Sequence, residues 1–150
     1  MPQHSQTEDF RIEAPDDWIE RSMIVWSAPP MPGNALAPNV LIAYDKPRVG
    51  ETLVSYVDRQ MKDLGAKAQR FQLELRRDVT LSDRPAVEVM FRWDSGGGFL
   101  KQRQLYSLAS GGRVISIVNT ARQQDFDAAE PKFLSVLNSF VWAEPVASDD

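Results

Sequence analysis

The chain has 150 residues, 43% of them hydrophobic, enough to build one globular core. A net charge of −4 and a pI near 5.0 provide no basic field for nucleic acid or an anionic membrane surface. There is no cysteine and one histidine, His4, so thiolate nucleophiles, disulfides and Cys-ligated metals are absent and imidazole catalysis has no scaffold.

Met1 to Asp9 lacks the basic start and apolar run of a secretory signal, and no later stretch approaches the roughly 18 apolar residues of a membrane span. The expectation is a disordered leader over 1–9, a single domain over 10–142, and a flexible acidic tail over 143–150, in a soluble cytoplasmic chain that does not insert into membranes. Phe10 to Ala14 alternates apolar with polar and stops at Pro15-Asp16-Asp17-Trp18, a first strand closed by a turn. Arg21 to Ala28 reads as a second strand. Prolines 29, 30, 32 and 38 make the next segment a loop, and the β-branched, apolar run from Asn39 to Tyr44 is a third strand.

From Thr52 to Leu64 the period changes. Leu53, Val54, Val57, Met61 and Leu64 recur at helical offsets, with Glu51 before the helix and Gly65 near its end. Four strands follow, at Arg70 to Leu81, Ala86 to Asp94, Phe99 to Ala109 and Arg113 to Thr120. The short connections between them, including Gly96-Gly97-Gly98, predict an antiparallel meander. Phe133, Leu134, Leu137 and Phe140 then share one helical face, with Phe126 at the entry, Pro131 marking the first turn of the regular part, and an end near Ser139.

These elements predict an α+β fold: a curved antiparallel sheet of about six to seven strands with two main helices. Several strands are apolar on both alternating sets, Met23 and Val25 on one side and Ile24 and Trp26 on the other. Such a sheet either receives a second layer of its own chain or offers an apolar surface to a partner. Two glutamines stand among apolar neighbours. Gln60 lies within the apolar stripe of the first helix, and Gln104 shares a strand face with Leu100, Tyr106 and Leu108. A carboxamide in such a place is either bonded to its own sheet or is a recognition group for polar atoms of a bound segment. Gln102 lies on the same face as Gln104, and spacing does not separate the two.

Enzyme chemistry has little to stand on. The close carboxylate pairs, Asp16-Asp17, Asp125 with Asp127, and Asp149-Asp150, fall at turns, a helix entry and the tail, where acidic residues cap and solubilise. The glycine triplet lacks the lysine and helix of a phosphate loop. No cofactor or metal is expected, and the chain reads as a binding protein.

Phe10-x-Ile12-x-x-Pro15-x-x-Trp18, Arg21-Ser22-Met23-Ile24-Val25-Trp26, Tyr56-Val57-x-Arg59-Gln60-Met61, Arg103-Gln104-Leu105-Tyr106 and Phe133-x-x-x-Leu137-x-Ser139-Phe140 together resemble the DcrB-like group, whose fold is PsbP/Mog1-like. Within that group the chain is similar to the Eag-type, effector-associated chaperones of bacterial type VI secretion. The resemblance implies a homodimer that shields the N-terminal transmembrane helices of a secretion effector before export. It places client-binding residues at Met23, Val25, Gln60 and Gln104. The pattern departs at Met23 and Val25, where isoleucine is more usual. The competing expectation is a PsbP/Mog1-like protein- or ligand-docking module, monomeric and without a membrane client.

Overall fold

A computed structural model describes residues 9, 11–19, 21–30, 32–33 and 36–143, together with the backbone of 3–6. In chain order its elements are β1 (Gln3–Gln6), β2 (Arg11–Ala14), β3 (Met23–Ser27), β4 (Asn39–Asp45), α1 (Leu53–Lys67), β5 (Gln69–Leu81), β6 (Arg84–Asp94), β7 (Phe99–Leu108), β8 (Val114–Arg122) and α2 (Gln123–Ser139). Six strands form one antiparallel sheet in the order β3-β4-β8-β7-β6-β5. The chain is therefore α+β, as its patterning predicts.

The expected meander is present as β5 to β8. Its first turn is a two-residue hairpin loop, Ser82 and Asp83, both with positive φ (46° and 72°), the backbone twist that matches paired strands. β6 accordingly starts at Arg84, and Pro85 lies within it opposite Thr80 rather than in the turn.

The first strand expected from the sequence, β2, is not part of this sheet. It pairs with β1, Gln3 opposite Ala14 through Gln6 opposite Arg11, so the sheet has six strands and the span expected to be an unstructured leader contains a strand. Backbone pairing alone accounts for β1: its Gln-His-Ser-Gln sequence has no apolar set to bury, and a hairpin needs none to join its N–H and C=O groups. The expected tail beyond Ala143 lies outside the described residues.

The helices take opposite faces. Along β6 the side chains of Val87, Val89 and Phe91 point to one face, and Tyr56, Val57 and Met61 of α1 pack there with Tyr106 and Val114. Ala86 points to the other face, where Phe126, Ala129 and Phe133 of α2 pack with Val40, Leu105, Ile117 and Ala121. Two-sided apolar strands are thus met by a layer on each side, at about 1.5–3 kcal/mol for each fully buried large side chain. Arg103 lies beneath α2 and pairs with Glu130 and Glu88.

Both helices are longer than their patterns predict. α1 is capped by Thr52, whose hydroxyl accepts from the Ser55 amide while Ser55 returns a bond to Thr52. It runs through Gly65 to Lys67. Glu51 lies outside it and is held by Arg59 at 2.7 and 2.8 Å. α2 begins at Gln123, just before the expected entry at Phe126, and Pro131, expected in the first turn of the regular part, lies well inside the helix. Pro131 removes one bond to the turn before it, but it is exposed, as is Asp127, so the freed carbonyl is open to solvent. Beyond α2, Trp142 donates from Nε1 to the Leu81 carbonyl at 2.7 Å and lies edge-on to Phe140, tying the segment after α2 to the end of β5.

Candidate binding face

The strand register decides which side chains share a surface. Met23 lies opposite Ala43, and Val25 opposite Leu41. Ala43 and Leu41 lie opposite Ser116 and Val118, and Val118 opposite Gln104. Gln104 lies opposite Val89, which is under α1. Facing partners point the same way, so Met23, Val25, Leu41, Ala43, Ser116, Val118, Gln102 and Gln104 share the face that carries α1.

Among the described residues that face is only half covered. α1 packs mainly on β5, β6 and β7 and meets β4 and β8 only near Asp45 and Val114, whereas Met23 and Val25 are 56% and 52% exposed and Leu41, Ala43, Ser116 and Val118 are half-buried. The uncovered half is an apolar shelf on β3, β4 and β8, with α1 as its wall.

Gln60 stands on the shelf side of that wall. Tyr56, one turn before it, donates from its hydroxyl to Asp45 Oδ2 of β4 at 2.6 Å. Asp58, on the opposite flank, pairs with Arg76 of β5 at 2.6 Å. Gln60 therefore lies on the flank turned toward β4, and it is half-buried.

Gln104 and Gln102 occupy the foot of the wall, joined in one chain of hydrogen bonds. The Tyr106 hydroxyl donates to Gln104 Oε1. Gln104 Nε2 donates to Gln102 Oε1 at 2.8 Å, and Gln102 Nε2 donates to Thr120 Oγ1 at 2.9 Å. Gln104 is buried and Gln102 half-buried, so both face this side and Gln102 is the more open of the two. Burial raises the pKa of Tyr106, and burial followed by the bond to Asp45 raises that of Tyr56. Both phenols stay protonated donors. Each glutamine retains an N–H and a lone pair beyond these bonds.

The four residues singled out from the sequence thus belong to one side of the sheet. Leu41, Ala43, Val118, Thr120 and Tyr106 were not singled out. The β3–β4 hairpin pairing carries a signal for Leu41 and Ala43, whereas Val118 arrives through the non-local pairing of β4 with β8. Among the described residues no cluster of His, Cys, Asp and Glu is suited to hold a metal, and no helix is long and apolar enough to cross a membrane.

An antiparallel sheet with one helix on each face and an apolar shelf beside one of them defines a PsbP-like α+β protein. The DcrB family model matches residues 10–139, and the chain belongs to that family. It is 24% identical over 130 residues to the Pseudomonas aeruginosa protein named Effector EagT6, covering 87% of this chain and 89% of that one. Three solved structures share the fold. A Pseudomonas aeruginosa protein of unknown function has a TM-score of 0.78 at 22% identity, covering 97% of this chain and 99% of that one. LpqN, described as involved in cell envelope biogenesis of Mycobacterium tuberculosis, scores 0.62 at 16% identity, with 82% and 71% coverage. PsbP (CyanoP) from Synechocystis sp. scores 0.51 at 10% identity, with 94% and 92% coverage.

Proposed function

We propose that this chain is a non-catalytic binding protein with a chaperone role, which shields an apolar helical segment of a partner protein on the shelf of β3, β4 and β8. The observation that carries this reading is the half-exposure of Met23 and Val25 on the same face as Gln60, Gln102 and Gln104. Apolar side chains remove a client's apolar surface from water at about 25 cal/mol per Å². Covering about 400 Å² is then worth on the order of 10 kcal/mol before the several kcal/mol lost to association. The glutamines supply donors and acceptors that can meet the backbone of a close-packed helix whatever its side chains.

In the finer form of the proposal the partner is a type VI secretion effector, the segment is its N-terminal transmembrane helices, and the chaperone is a cytoplasmic homodimer contacting the client through Met23, Val25, Gln60 and Gln104. The sequence resemblance to effector-associated chaperones supports this, and the name of the Pseudomonas aeruginosa relative supports the link to an effector alone. Co-expression with an effector N-terminal fragment, followed by size exclusion with light scattering, tests it. A soluble stoichiometric complex holding two copies of this chain is expected, and a fragment that stays insoluble beside a clean monomer refutes it. A second reading, a monomeric docking module, is favoured by a groove of about 560 Å³ on the opposite face, between α2 and the loop after β3.

A further inference from the structure

The two edges of the sheet are built differently. β5 carries Arg70, Glu74, Arg76, Arg77 and Asp78 and is broken by two register shifts, the charge and irregularity that keep an edge from pairing with another chain. β3, at the other edge, is Met-Ile-Val-Trp-Ser, with no charge, no proline and an unbroken register to β4. Ile24 is 57% and Trp26 73% exposed, on the face opposite Met23 and Val25. Among the described residues no strand pairs with the outer side of β3. Its outward N–H and C=O groups thus lack a ladder partner, between apolar side chains on both faces.

The groove of about 560 Å³ lies at the C-terminal end of this strand. Trp26, Pro29, Pro38, Val40, Phe133 and Val136 are among its lining residues. Two charged residues also line it. Asp125 is neutralised by Arg122 at 2.6 Å, while Lys132 is exposed and enters no ion pair among the described residues.

We propose that β3 receives an extended segment of a partner polypeptide as an added strand. The segment is uncharged over about five residues, the length of β3, and ends in an acidic residue. Its backbone completes the ladder of β3. Alternate side chains lie beside Met23 and Val25 on one face and beside Ile24 and Trp26 on the other, and the end of the segment enters the groove with its carboxylate toward Lys132.

A second copy of β3 fits this edge less well in the register centred on Val25. Two-fold pairing that keeps the faces continuous and sets Val25 opposite its own copy brings Arg21 of the second copy alongside Pro29. That adds a guanidinium to a groove whose unpaired charge is already the Lys132 cation. The added strand can be told apart from the helix-shielding reading: both touch Met23 and Val25, but only the strand needs the backbone edge of β3 with Ile24 and Trp26, and only helix shielding needs Gln60 and Gln104.

The test uses the full chain and the fluorescein-labelled peptide Thr-Val-Thr-Val-Ile-Val-Glu. Anisotropy measures binding, and amide hydrogen exchange locates it. Saturable binding is expected, with exchange slowed at β3 and unchanged at β5. Trp26→Lys should weaken binding about tenfold, with far-UV circular dichroism and Tm unchanged. A peptide ending in Lys instead of Glu should bind more weakly to the parent chain, and that difference should disappear in Lys132→Ala. No binding at peptide concentrations up to about 1 mM, which corresponds to about 4 kcal/mol, overturns the proposal. So does slowed exchange confined to α1 and its face. Protection of β3 that rises with protein concentration before peptide is added also overturns it, because a second copy then occupies the edge.

Discussion

Replacing Gln104 by leucine separates the glutamine's part in holding the sheet together from any part in recognition. Gln104 is 8% exposed and accepts the hydroxyl hydrogen of Tyr106, itself 4% exposed. Leucine fills a similar volume but leaves that hydroxyl buried without an acceptor, a loss of about 1–3 kcal/mol. Gln102 Oε1 also loses a donor, but Gln102 is half-buried and water can replace it. The single substitution should therefore destabilise by about 2 kcal/mol, and Tyr106→Phe alone by about 1 kcal/mol. The double variant removes donor and acceptor together and should lie close to Tyr106→Phe, a coupling of about 1–2 kcal/mol. Urea unfolding reads this directly: with an m-value of about 2 kcal/mol per molar, Gln104→Leu should lower the midpoint by about 1 M. A neutral Gln104→Leu, or a double variant that loses the sum of the singles, would refute the bonded ladder as the reason for this glutamine.

Phe126→Ala should destabilise by about 3–5 kcal/mol and lower the Tm by about 10 °C, measured by calorimetry, because the ring is fully buried beside Phe133 under α2. Val25→Asp should leave stability within about 0.5 kcal/mol, since the position is half exposed, while abolishing recovery of a soluble effector fragment on co-expression. The bond from Arg59 holds the Glu51 carboxyl at about 2, down from 4.5. A depressed folded pKa makes its stabilisation full above about pH 4.5 and lost as pH falls through about 2. The difference in Tm between the parent chain and Glu51→Gln should thus be present at pH 7 and vanish near pH 2. Trp142→Phe should cost about 1 kcal/mol in urea unfolding by removing the indole donor to the Leu81 carbonyl.

Much of the candidate surface is legible in the chain. Gln60 stands out because a helical period of apolar residues surrounds it, and Gln104 because a strand period does. Alternation assigns Met23 and Val25 to one side of their strand. Pattern does not reveal that Gln104 is linked to Gln102 and Tyr106, and through Gln102 to Thr120, since Gln102 and Thr120 come together only where β7 pairs with β8. It also leaves the separate β1–β2 hairpin unseen, because polar Gln-His-Ser-Gln carries no periodic signal.

The sequence by itself determined the class of elements, the hairpin order from β5 to β8, the mixed α+β architecture and the absence of cysteine, because period, turn residues and composition are local properties. Only the tertiary structure decided that the helices take opposite faces and that β4 joins β8 across the intervening α1, β5, β6 and β7. It also decided that α1 packs mainly on β5, β6 and β7 and leaves most of β3, β4 and β8 on that face open. These outcomes depend on non-local register and on competition among apolar surfaces for the same cover. The result leaves Met23 and Val25 open beside a wall that carries Gln60.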